Sequence, residues 1–119
     1  MIFLDITPNE SGTIIITASL EDEIGAVIEL ASIPEEDRRY QLMYNESGDI
    51  VGDFTFANSL IPPNGEIIFT KDDLNIDPDN ELDMGERYLT FRVAYTNQDN
   101  EDLQATEGVF FTIENLPGL

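Results

Sequence analysis

The sequence predicts an all-β protein, a two-sheet antiparallel sandwich of about seven or eight strands. Short apolar runs alternate with turn clusters rich in Pro, Gly, Asn and Asp along its length. Within the longer runs, apolar residues recur at every second position, the period of a strand half-buried on one face. No segment sustains a helical period. With 119 residues, 41% of them apolar, one core suffices, so 1–119 reads as a single domain with 115–119 as a tail or linker.

The predicted elements follow in order. Ile2–Ile6 is a first strand, closed by the turn cluster Thr7–Gly12. Thr13–Leu20 places Ile14, Ile16, Ala18 and Leu20 on one face and Thr13, Thr17 and Ser19 on the other. Gly25–Ala31 is read as a strand, with Ala26, Ile28 and Leu30 in phase. Past the acidic loop Pro34–Asp37, Arg39–Tyr44 and Ile50–Phe56 form a predicted hairpin around Asn45–Gly48. Glu66–Thr70 comes next, with Thr70 able to cap a single helical turn to Leu74. Arg87–Thr96 is the strongest strand, with Leu89, Phe91, Val93 and Tyr95 on one face. Glu107–Glu114 closes the chain with Val109, Phe111 and Ile113 inward.

Charge narrows the function classes. Twenty-five acidic residues against five basic ones leave a formal charge of −20. Nucleic-acid binding requires a basic footprint that displaces counterions from phosphate, and none is present. An anionic membrane surface is disfavoured on the same ground, and no stretch is long and apolar enough to insert in a membrane as a helix. Met1–Asp5 lacks the basic start and apolar segment of a secretion signal.

Chemistry is narrowed further by what the sequence omits. Without His or Cys, the Ser–His and Cys–His nucleophilic arrangements are impossible, and zinc, copper and haem lose their usual ligands. No glycine-rich phosphate loop occurs. Paired carboxylates can hydrolyse glycosides, yet twenty-five acids single out none of themselves. The chain is therefore expected not to be an enzyme. Ca²⁺ is the one candidate cofactor, because Asp77, Asp79, Glu81 and Asp83 alternate along a loop as oxygen ligands do around a hard cation. Pro78, Leu82 and Tyr88 break the EF-hand pattern; Asp22, Asp99, Glu101 and Asp102 are candidate helpers. The plainer alternative is a solvated loop. Carbohydrate stacking is a weaker rival: Trp is absent, and Tyr40, Tyr44 and Tyr95 fall in the core phase, leaving Tyr88 and Phe110 outward.

The stretches Met84–Thr96 and Glu107–Asn115 resemble the closing strands of bacterial and phage immunoglobulin-like domains, fibronectin type III relatives included. A Gly precedes an alternating penultimate strand, a polar hairpin follows, and a final strand runs into a linker. Ser11–Ala18 and Asp22–Glu29 resemble the second and third strands of that group. The chain departs from the pattern in placing Leu89 rather than Tyr88 inward, and in lacking the buried Trp and disulfide of antibody domains. The resemblance implies a module of virion parts, adhesins or surface proteins, serving as spacer, decoration or binding unit.

Strands assembled in that way would place several apolar side chains facing out. Phe3, Ile15 and Ile68 would share one outer face, and Val27, Met43 and Phe110 the other. Alignment into a patch would mark a contact surface on an otherwise charged protein. Two function classes follow. The first is an accessory or decoration component of a larger assembly, virion or surface filament, held by a protein partner or by self-assembly. The second is a calcium-stabilised adhesion module of a multidomain surface protein.

Overall fold

The computed structural model describes residues 2–3, 12–44, 49–70, 72–74, 76 and 85–113, and for residues 2–3 the strand pairing alone. The described residues are mostly β. They form six strands and two short 3-10 turns, with no α-helix among them. β1 (Ile2–Phe3), β6 (Asp102–Thr112), β5 (Glu86–Thr96) and β3 (Arg38–Met43) lie side by side in that order in one sheet. β2 (Ile14–Thr17) and β4 (Glu66–Phe69) pair antiparallel as a second sheet. β3 and β6 each run antiparallel to β5 between them, and β1 joins the edge of β6 in parallel.

The longest ladder runs between β5 and β6, from Glu86 opposite Thr112 to Thr96 opposite Asp102. Its turn is organised by Asn97, whose side-chain oxygen accepts from the Asp99 N–H at 3.0 Å and the Glu101 N–H at 2.9 Å. Asn100 supplies the left-handed residue that such a turn needs, at φ 59°. β6 therefore starts at Asp102, ahead of the predicted Glu107, because the pairing continues through polar residues outside the apolar run.

Two predicted strands are not strands. At 25–31 the Asp22 carboxylate accepts from the N–H groups of Ile24 and Ala26, and Gly25 turns at φ +84°. Val27 makes only a bridge to Glu21, and Leu30–Ser32 winds into a 3-10 turn. Side-chain acceptors of this kind compete with the ladder for backbone donors. At 50–56 the chain bends at Gly52 (φ +53°), and the Phe54 N–H returns to the Val51 carbonyl. Within that segment only Ile50 forms a bridge, to Met43. The segment instead runs along the outer edge of β3, where Tyr40 and Leu42 donate to the carbonyls of Ser59 and Phe54. The turns at 7–11 and 45–48 and the tail at 115–119 lie outside the described residues.

The core fills the space between the two sheets. Ile14, Ile16, Ile67 and Phe69 come from β2 and β4, and Leu42, Leu89, Phe91, Val93, Val109 and Phe111 from the other sheet. These are the inward positions that the alternation predicts. Phe69, fully buried, meets Phe54 and Tyr40 edge-on with ring centroids 5.5 and 6.2 Å apart. Thr70 does start a turn: its carbonyl accepts from the Leu74 N–H, while its own N–H donates to the Asp73 carboxylate at 2.8 Å. The capping side chain is thus Asp73 rather than the Thr70 hydroxyl, which itself donates to Asp73, and the turn sets Leu74 in the core, where it is fully buried.

A buried arginine sits at each end of this core. Arg38 and Arg87 occupy the inward phase of β3 and β5, at opposite ends of the β3–β5 ladder. Arg38 donates from Nε to the Ile61 carbonyl at 2.9 Å and from Nη1 to the Ile33 carbonyl at 2.7 Å. Arg87 donates from Nη1 to the Glu86 carbonyl at 2.8 Å and lies 5.1 Å from the centroid of Tyr44. Of the remaining described arginines, Arg39 donates to the Ala57 carbonyl and Arg92 stacks 4.0 Å over Phe56. The arginines of this chain are thus engaged within the fold, which leaves the acidic surface little opposed.

Candidate functional site

Of the two outward apolar faces expected, Phe3–Ile15–Ile68 and Val27–Met43–Phe110, the Ile15–Ile68 pair is the part that the structure brings together as an exposed surface. Ile15 and Ile68 are direct cross-strand partners on β2 and β4, and each is 56% exposed. Their neighbours along the strands, Ile14, Ile16, Ile67 and Phe69, point into the core, so the pair occupies the outer face. Around it Thr13, Thr17 and Glu66 are exposed.

The other positions require correction. Phe3 does not share a sheet with Ile15 and Ile68, because β1 pairs with β6 and sets Phe3 beside Phe110. Val27 is 71% exposed but belongs to neither sheet; it bridges to Glu21 and closes a hairpin whose tip carries Ile24, which is 74% exposed and which its place in the sequence did not mark. Met43 is buried rather than exposed. It has the outward phase, but Ile50 bridges to it, Tyr88 pairs beside it on β5, and the Gln41 amide donates toward its sulfur at 3.6 Å. Phe110 is half-buried on the same face, opposite Tyr88. Tyr88 lies across Gly108, where a Cβ would come within 2.7 Å of its hydroxyl oxygen.

Asp77, Asp79, Glu81 and Asp83 lie outside the described residues. Of the candidate helpers, Asp22, Glu101 and Asp102 have side-chain partners close in sequence, and Asp99 donates its backbone N–H to Asn97. Asp22 caps the 22–26 turn, Asp102 accepts from the Thr96 hydroxyl at 3.1 Å, and Glu101 accepts from the Asn97 amide at 3.2 Å. Among the described residues, no three acidic side chains converge as a metal-binding group.

Sequence reasoning missed a cleft on the β3 side of the molecule. It holds about 580 Å³ and is bounded by Tyr40, Tyr44, Phe54, Asp53, Asp72 and Asp73, with Ser59 and Asn58 at its border. Tyr40, Tyr44 and Phe54 have the inward phase that assigns them to the core. β3 is flanked there by loop rather than by a further strand, so inward at this position means the rim of the core. All three rings are half-buried. Tyr40 and Phe54 lie 6.1 Å apart, tilted by 31°. Burial, and then the negative charge of Asp73, hold the Tyr40 phenol above its ordinary pKa.

Comparison with known proteins finds no matching family model, no significantly similar curated protein and no significantly similar solved structure.

Proposed function

We propose that this chain is a non-enzymatic interaction module, an immunoglobulin-like sandwich serving as an accessory or decoration component of a larger assembly on a virion or cell surface. The strand order supports the fold reading. β3, β5 and β6 are neighbours in one sheet, β2 and β4 form the other, and β1 runs parallel to β6 at the edge. That order agrees with an immunoglobulin-type sandwich in which three antiparallel strands, edged by the parallel β1, face a two-stranded sheet.

The observation that carries the functional reading is the Ile15–Ile68 pair. Two large aliphatic side chains standing directly opposite each other, each more than half exposed, are costly on a surface of net charge −20. Covering them against a protein partner removes that cost, and the acidic surroundings favour a partner whose facing rim is basic. Self-association through the same face must overcome like-charge repulsion and is promoted by salt.

The double substitution Ile15→Lys with Ile68→Glu tests the reading. The double variant should keep its circular dichroism spectrum and melting behaviour while losing association, measured by sedimentation at molar salt and by retention on large particles from the source. A double variant that associates as the parent does rejects this face as the contact.

A further inference from the structure

We propose that the cleft beside Tyr40 is a binding site for an arginine side chain presented by a partner protein. It shares no residue with the Ile15–Ile68 face and stands independently of that face's role.

The cavity and its aromatic wall come first. A cleft of about 580 Å³ admits an extended side chain together with part of its backbone, and the half-buried rings of Tyr40 and Phe54 give it apolar surface, the Tyr44 ring beside them already carrying Arg87. The methylenes of a long basic side chain pack on such surface while the charged head stays in a polar setting. The carboxylates then decide the sign of the ligand. Asp53, Asp72 and Asp73 border the cleft, and no basic residue among the described ones does. Thr70 donates to one carboxylate oxygen of Asp73, through its N–H at 2.8 Å and its hydroxyl at 3.2 Å, which fixes that group in place. A neutral sugar would stack on the rings and leave this field unanswered; an anion is repelled by it.

Arginine is preferred to lysine on geometry. A planar guanidinium stacks on an aromatic face and presents a fork of donors to carboxylates, whereas an ammonium is a compact, strongly hydrated point charge. The fold already uses this contact twice, with Arg87 over Tyr44 and Arg92 over Phe56. The Tyr40 pKa is raised first by burial; the charge of Asp73, which adds to it, belongs to the same negative field.

The test uses the full chain, ¹⁵N-labelled, titrated with a short peptide that carries one arginine and is blocked at both ends. Saturable shifts should map to Tyr40, Tyr44, Asp53, Phe54 and Asp72. Asp53→Asn with Asp72→Asn should weaken binding about tenfold, and Asp99→Asn with Glu29→Gln, an equal charge change elsewhere, by less than about twofold. Equal losses in the two variants would show diffuse attraction to an acidic protein and overturn the site. So would equal binding of a norleucine peptide, which has the stem without the charge. The Ile15→Lys, Ile68→Glu double variant should bind the arginine peptide as the parent does, because the two surfaces are separate. Failure of one reading is thereby distinguishable from failure of the other.

Discussion

The hydroxyl of Tyr95 donates a 2.6 Å hydrogen bond to the carboxylate of Glu23, and the same oxygen accepts from the Glu23 backbone N–H at 3.1 Å. This exchange ties the exposed 21–27 hairpin to β5. It also accounts for Tyr95, whose phase along β5 is that of the core although its tip reaches a hairpin.

The bond couples the two titrations. Donation from Tyr95 holds the Glu23 carboxyl below its ordinary range, and the same bond to Glu23 holds the Tyr95 phenol above its own. A carboxyl lowered by folding contributes its stability in full above the ordinary carboxylate range and loses it as pH falls through the folded value. A phenol raised by folding contributes below the ordinary phenol range and loses it as pH rises through the folded value. Tyr95→Phe should return the Glu23 midpoint upward in a ¹³C-detected titration. An unchanged midpoint would show that the bond does not form in solution.

Gly65 and Gly52 separate backbone strain from packing. Both are left-handed, at φ +76° and +53°. A Cβ on Gly65 would lie 2.9 Å from the Ala18 carbonyl oxygen, whereas one on Gly52 meets nothing within 4 Å. Gly65 also accepts from the Ala18 N–H at 2.7 Å, so the two backbones cannot part without losing that bond. Gly52→Ala should cost about 1 kcal/mol from strain alone, and Gly65→Ala about 3 kcal/mol. Urea midpoints of the two variants measure the difference. Equal shifts would place Gly65 farther from Ala18 than described.

Alternation made the core legible. Ile14, Ile16, Leu89, Phe91, Val93, Val109 and Phe111 lie inward as the two-residue period requires, and polar Thr13 and Thr17 lie outward. Where a side chain took over the backbone donors, the period misled: Asp22 turned the chain before Val27 could extend a strand. Phase also says nothing about what lies beyond a sheet's edge. Met43 was covered by its neighbours, and Tyr40 and Phe54 became the wall of a cleft. Arg87 shares the phase of Leu89, but a charged residue is not read as core from sequence, and only tertiary packing reveals its burial.

Phe69 joins the two halves of the aromatic cluster, edge-on to Tyr40 and Phe54 and 6.3 Å from Phe111. Phe69→Ala should lower stability by about 4 kcal/mol, through lost burial and the cavity left behind. Phe69→Leu keeps most of the volume and should cost less than half of that. Thermal or urea unfolding checks both. A small effect of the alanine variant would mean that β4 does not pack against the larger sheet as described.

Arg38 poses the opposite question, what a buried cation contributes to an acidic protein. Its Nε and Nη1 satisfy the carbonyls of Ile61 and Ile33, and the Ile61 N–H returns to the Arg38 carbonyl at 3.0 Å. Arg38→Met keeps the apolar length, removes one positive charge and leaves both carbonyls without these donors. The expected loss is about 3 kcal/mol, from unsatisfied acceptors and from increased self-repulsion. Salt separates the two causes. At about 1 M the screening length falls to about 3 Å, so the repulsive part vanishes while the carbonyl part persists. The gap between parent and variant should therefore narrow at high salt without closing. Complete closure would assign Arg38 a purely electrostatic role and contradict the two hydrogen bonds.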